Sequence, residues 1–201
     1  MATYQAIAAI GEAILGLLEA ARPKPEFANA QFALYQSTNF QNPMEEGISL
    51  YLYRVATNTT RRNLPPHIGP DGRRYRPPLP LDLHYLLTPW ARTAAKQQRL
   101  LGWSMRALED TPILPAGLLN HYGTEPETFF PHETVELVCE PLSLQEIVNI
   151  WDAFKPNLQL SAAYVARMVA IDSAVEISEG PPAQTRVFDF GAVTVGREPT
   201  R

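Results

Sequence analysis

Gly47-Ile-Ser-Leu-Tyr-Leu-Tyr-Arg-Val-Ala-Thr57, then an arginine- and proline-rich loop, then Pro78-Leu-Pro-Leu-Asp-Leu-His-Tyr-Leu-Leu-Thr88: this order of residues decides the fold. In the first run Leu50 and Leu52 alternate with Tyr51, Tyr53 and Val55. A period of two with both sets apolar predicts a strand covered on both faces. In the second run Leu79, Leu81, Leu83, Tyr85 and Leu87 take one face, opposite Asp82, His84 and Leu86. Thr88 followed by Pro89 is a favoured helix start, and the spacing predicts a helix from Pro89 to about Glu109. Its main stripe would be Trp90, Ala94, Leu101, Met105 and Leu108, widened by Leu100, Trp103 and Ala107. Strand, basic arm, strand, helix is the expected order.

Working outward, the N-terminal residues Ile7, Ile10, Ile14, Leu17, Leu18 and Ala21 recur at helical spacing, with Thr3 positioned to cap and Pro23 and Pro25 to stop the helix. Glu12 and Glu19 interrupt that segment and no basic stretch precedes it, so it reads as a core helix in a cytoplasmic protein rather than a secretion signal or a membrane span. Phe27 to Tyr35 is a short apolar run expected to be a strand. Ile113 to Pro131 reads as loop, and Thr134 to Cys139 alternates as a strand. Ser143 and Glu146 have the spacing of a capping box, with Leu142 and Ile147 as its staple, and open a helix through Trp151 and Phe154. Leu160 to Ile171 is a long strand, and Val187 to Val195 a last apolar run. These elements predict an α+β domain over residues 1–180 with a mixed sheet flanked by helices. Residues 181–201 would be a C-terminal arm or edge strand, with Val187, Phe188 and Phe190 contacting another subunit.

Composition restricts function. The chain has 201 residues, a formal net charge of −4 and 19 prolines, well above the ~5% of average usage. A mildly acidic chain has no general attraction to nucleic acid or anionic membrane. Cys139 is the single cysteine, which rules out a disulfide or a cysteine metal cluster within one chain. His67, His84, His121 and His132 lack close ligand spacing, and no P-loop, nucleophile elbow or Rossmann glycine pattern occurs. His84 beside Asp82 is the best acid–base candidate, for a small hydrolase or a ligand-binding module, and lacks a third member. The expectation is no catalytic, cofactor or metal site. Two charged regions are left. Arg61, Arg62, Arg73, Arg74 and Arg76 crowd the loop from Thr57 to Pro78, and Glu125, Glu127, Glu133, Glu136 and Glu140 form an acidic region. On opposite sides of a fold, such regions let identical copies bind head to tail, and such contacts close into a ring when the rotation permits.

The runs Ile48–Pro66 and Arg73–Ala91 (ISLYLYRVATNTTRRNLPP and RRYRPPLPLDLHYLLTPWA), with RLLGWSMRALEDTPIL (Arg99–Leu114), ETVELVCEPLSLQEIVNIWDAF (Glu133–Phe154) and LSAAYVARMVAID (Leu160–Asp172), together resemble one family. It was first catalogued without a function. Its better-understood members are tail-terminator, or cap, proteins of extracellular contractile injection systems, which are phage-tail-like particles. The likeness spans roughly Ala6 to Asp172 and is carried most specifically by PLPLDLHYLLT followed by LLGWSMRAL. The resemblance implies a mixed sheet flanked by helices and a six-fold ring on the end of the inner tube and sheath distal to the baseplate. It implies partnership with tube and sheath subunits and offers no catalytic residues. A neck or tail-terminator protein of a true phage tail is the alternative within the same class.

Overall fold

The two apolar runs are neighbouring strands at the centre of a sheet. In the computed structural model, which describes residues 2–61, 64–69, 71–125, 127–154 and 157–177, the elements are α1 (Ala6–Ala21), β1 (Gln31–Leu34), a 3-10 turn (Ser37–Gln41), β2 (Gly47–Thr57), β3 (His67–Ile68), β4 (Arg74–Tyr75), β5 (Leu79–Trp90), α2 (Ala94–Glu109), β6 (Ile113–Pro115), α3 (Ala116–Tyr122), β7 (Thr134–Glu140), α4 (Leu144–Phe154) and β8 (Ala162–Ile171). Six strands form one mixed sheet in the order β1-β2-β5-β8-β7-β6, parallel only between β1 and β2. The fold is α+β, as the pattern of elements predicts.

Both faces of β2 and β5 are covered. Leu50, Leu81, Leu83, Tyr85 and Leu87 join the larger core, where α1 lies on the sheet and α2 and α3 flank it. On the opposite face, Leu86 and Trp90 meet Phe40 of the 3-10 turn and Trp151 of α4. α1 buries Ile10, Ile14, Leu17 and Leu18 as predicted, and also Ala6, Ala9 and Ala13. Thr3 does not cap it through its side chain. The helix instead starts after Gln5, and Ala6 N–H bonds the Thr3 carbonyl at 3.1 Å.

Four expectations are corrected. First, β5 runs through Thr88 and Pro89 to Trp90, and α2 begins at Ala94 with Thr93 as its cap, accepting from Lys96 N–H at 3.4 Å. A Trp90 buried between Phe40 and Trp151 holds the chain extended, and its indole N–H donates to Ser49 Oγ at 2.8 Å. Pro89 is tolerated because the β8 ladder ends at Ala162 opposite Leu87, so the missing N–H loses no strand partner on that side. The buried line of α2 is Leu100, Ser104 and Leu108, with Leu101, Trp103, Met105 and Ala107 only half-buried at its margins. Second, Phe27 precedes the strand and is buried in the larger core, while pairing to β2 covers only Gln31–Leu34. Third, the segment expected to be loop from Ile113 to Pro131 contains β6 and the short α3, which bury Leu114, Ala116 and Leu119. Fourth, the basic loop has structure of its own. His67 pairs with Tyr75 and Ile68 with Arg74, around a turn in which Gly72, at φ 76°, donates to the Gly69 carbonyl at 3.0 Å. Glycine reaches that φ without the steric cost other residues bear.

The Ser143–Glu146 capping box forms. Glu146 accepts from the Ser143 N–H at 2.8 Å, and Ser143 Oγ accepts from Glu146 N–H at 3.3 Å. The Ser143 hydroxyl, which donates to the Glu146 carboxylate at 2.7 Å, and then the Ser143 N–H hold that carboxyl below its ordinary range.

Candidate functional site

Three places in this fold are candidates, two of them holding residues that sequence singles out. The first is the β3–β4 hairpin. It does not stand free, because residues 175–177 lie antiparallel beside β4: Arg76 N–H donates to the Val175 carbonyl at 3.0 Å and Ile177 N–H to the Arg74 carbonyl at 2.8 Å. Tyr75 stacks on His67 and donates its hydroxyl to Asp71 at 2.6 Å, which raises the Tyr75 pKa and lowers that of Asp71. Arg73 is held at 3.2 Å from Glu176 and 3.7 Å from Asp71. Arg61, Arg74 and Arg76 are exposed and meet no carboxylate among the described residues. Arg62 lies outside the described residues, as do Val187, Phe188 and Phe190.

The second place is the sheet face next to α4. His84 is 9% exposed and its Nδ1 lies 2.8 Å from Glu140 Oε2. Glu140 sits on β7 opposite Ala163 of β8, and Ala163 is small enough for the carboxylate to reach across to β5. Tyr53, at the irregularity in β2, donates to the same Glu140 oxygen at 3.3 Å. Burial, and then the charge of Glu140, push the Tyr53 hydroxyl up to about 12. Asp82 turns elsewhere: it accepts from Asn58 at 3.1 Å and from Met168 N–H at 3.2 Å. The expected His84–Asp82 pair is therefore replaced by His84–Glu140–Tyr53, and the fixed Asp82 braces the irregular turn of β8 where Met168 has a φ of 65°. Among the described residues, none is in hydrogen-bond contact with this set as a nucleophile would be. Cys139 lies on β7, where burial and the charge of Glu109 raise its thiol pKa, against the thiolate a nucleophile needs. His132 stacks on Phe130. Among the described residues no three His, Cys, Asp or Glu side chains group to hold a metal ion, and no helix is long and apolar enough to cross a membrane.

This geometry carries a prediction. His84→Ala removes one partner of a half-buried carboxylate and lowers stability by about 1–3 kcal/mol, read by denaturant unfolding. In the ring that the sequence resemblance implies, the folded variant is expected to assemble unchanged. A loss of assembly with unfolding free energy intact would place His84 in an interface.

The acidic region is divided by the fold. Glu140 is committed to His84. Glu133 accepts from Phe130 N–H at 2.8 Å, and Glu136 is exposed on β7 opposite Arg167. Glu125 and Glu127 are exposed in the segment after α3.

The third place carries no sequence signature. α1 and the outer strands enclose an apolar groove of about 440 Å³, lined by Ile7, Gly11, Leu34, Leu50, Leu52 and Tyr85. Glu12 and Glu125 stand on its rim. Its floor comes from four elements distant in sequence, so only the folded chain reveals it.

These three places are the geometry against which the comparisons with known proteins are set. No curated protein matches the sequence. The fold matches the cryo-EM structure of the sheath/tube terminator, in its extended state, of the extracellular contractile injection system PVC, with TM-score 0.57 and 17% identity, over 96% of this chain and 64% of that one. It also matches the tube-terminating cap of the anti-feeding prophage, with TM-score 0.59 and 15% identity, over 89% of this chain and 59% of that one. The chain thus spans a little under two thirds of each of these structures, and at such identities the likeness is one of fold. A sequence-family model, that of the Pvc16 N-terminal domain, matches residues 9–185, so the chain belongs to the Pvc16 N-terminal domain family.

Proposed function

We propose that this protein is a structural cap that ends the inner tube and sheath of a contractile injection system at the end distal to the baseplate. One observation carries the reading: a chain with family membership over residues 9–185 has the fold of two tube-terminating proteins along nearly its whole length. In this reading the protein acts as a ring of identical copies, with six subunits, assembled in the cytoplasm into a particle. It performs no catalysis. Its partners are further copies of itself and the terminal tube and sheath subunits. The exposed arginines Arg61, Arg74 and Arg76, with Arg62 and Arg73, supply one side of the contacts, and carboxylates such as Glu125, Glu127, Glu133 and Glu136 supply the other, because guanidinium pairs well with carboxylate. Each exposed pair contributes only about 0–1 kcal/mol, and repetition around a ring supplies the avidity.

The test is electron microscopy of particles from cells with and without the gene. Loss of the protein should give tubes of uncontrolled length with open distal ends, and complementation should restore uniform length. Uniform, closed tubes in its absence would refute the cap reading. Capsids attached to the tubes would favour the phage-neck alternative.

A further inference from the structure

We propose that the groove between α1 and the sheet edge receives residues 187–195 of a second copy, which add as a strand beside β2; the inference rests on the ring reading above. Three observations meet here. The first is an unfinished edge. β1 pairs with β2 only as far as Leu34 opposite Leu50, whereas β2 continues from Tyr51 to Thr57 with β5 on one side and no strand on the other among the described residues. An open edge offers backbone donors and acceptors to an extended segment. The second is the apolar groove flush with that edge. Leu34, in its lining, is 43% exposed where β1 stops, and Val55, farther along the uncovered part of β2, is 47% exposed.

The third observation is the segment that fits. Val187-Phe-Asp-Phe-Gly-Ala-Val-Thr-Val195 is apolar and rich in β-formers. As a strand it places Phe188, Phe190 and Ala192 on one face and Asp189 on the other. Arg186 and Arg197 flank it, and the groove rim carries Glu12 and Glu125, so an apolar strand with basic ends meets an apolar floor with an acidic rim.

The described chain ends on the hairpin, and the ring reading supplies the neighbouring copy. Val175 bonds to Arg76 and Ile177 to Arg74, and Arg73 reaches Glu176. Residues 175–177 therefore run from the sheet towards the hairpin tip. Residues 178–186 extended span up to about 30 Å, enough to enter the next subunit of a ring.

Disulfide trapping tests this. Cys139 is the only native cysteine, so two forms are made on a Cys139→Ser background, one with Leu34→Cys and the other with Phe188→Cys or Phe190→Cys. They are mixed, oxidised mildly and separated without reductant, with light scattering on the same samples and circular dichroism to verify folding. A disulfide requires Cβ atoms about 3.5–4.5 Å apart, so a covalent mixed dimer reports the segment in the groove. The expected result is such a dimer as the main oxidised product with one of the two tail cysteines. Oligomers of ring size with no mixed product would overturn the tail placement and leave the ring reading standing. In a third form carrying Leu34→Cys together with the tail cysteine, a link formed only within the chain, with no mixed dimer from the first two forms, would overturn docking between copies. Monomers at every concentration, with no mixed product, would overturn both.

Discussion

Arg61→Glu, Arg74→Glu and Arg76→Glu together abolish capping while the domain stays folded. These three arginines are exposed and meet no carboxylate among the described residues, which leaves them available to a partner in the proposed ring. Arg73 is left unchanged because its contacts with Glu176 and Asp71 join the hairpin to residues 175–177. Each exchange moves the formal charge of −4 two units further from zero and, in the proposed ring, sets glutamate against an acidic partner surface. One exposed pair contributes too little for a single change to show, but the loss recurs at every subunit contact. Salt gives the sign. Attraction between opposite charges is screened as ionic strength rises, so native assembly weakens with salt, whereas the reversed protein, dominated by repulsion, assembles better at high salt. Tube length by electron microscopy and oligomer size at low and high salt are the measurements. Closed tubes of normal length at low salt would make the hairpin a solvated connector.

How much of this was open to sequence reading follows from the range of the interactions. β2, β5 and β8 were legible because an apolar residue at nearly every position needs both faces covered. α4 was legible because the Ser143–Glu146 box acts within one turn. The start of α2 was misread because Thr88-Pro89 is a good local signal overruled by a distant one: the Trp90 indole is anchored to Ser49 and packed on α4, so the strand continues until Thr93. α3 has only seven residues, too few to display a period. In the hairpin, Gly69 to Gly72 announced the turn, but the third segment that pairs with it comes from about a hundred residues later. Position-specific chemistry was least legible. Asp82 lies two residues from His84 and shares its face, yet Glu140, fifty-six positions away, takes the contact because Ala163 lets it cross β8. The apolar groove is the extreme case, since α1, β1, β2 and β5 must all be in place before it exists.

Trp151→Ala costs about 3–5 kcal/mol, the usual range for emptying a buried tryptophan site. Trp151 is 1% exposed and is the main side chain α4 puts into the smaller core. Its ring centroid lies 5.3 Å from that of Phe40, 5.8 Å from Phe154 and 6.5 Å from Trp90, and its indole N–H donates to Ser161 at 3.2 Å. Removing it opens a void where four elements meet, and the rigid sheet on one side limits how far the site can collapse. For a chain of this size each kcal/mol shifts the melting temperature by roughly 2–4 °C, so a fall on the order of 10 °C is expected, with reduced near-ultraviolet dichroism from Trp90 and Phe40. Trp151→Phe keeps most of the apolar contact and gives up the bond to Ser161, so it costs markedly less. Leu144→Ala, on the same helix at 72% exposure, changes stability by within about 0.5 kcal/mol. A Trp151→Ala loss no larger than that of Leu144→Ala would mean that α4 does not rest on the sheet through Trp151, and would remove the smaller core from the account of this fold.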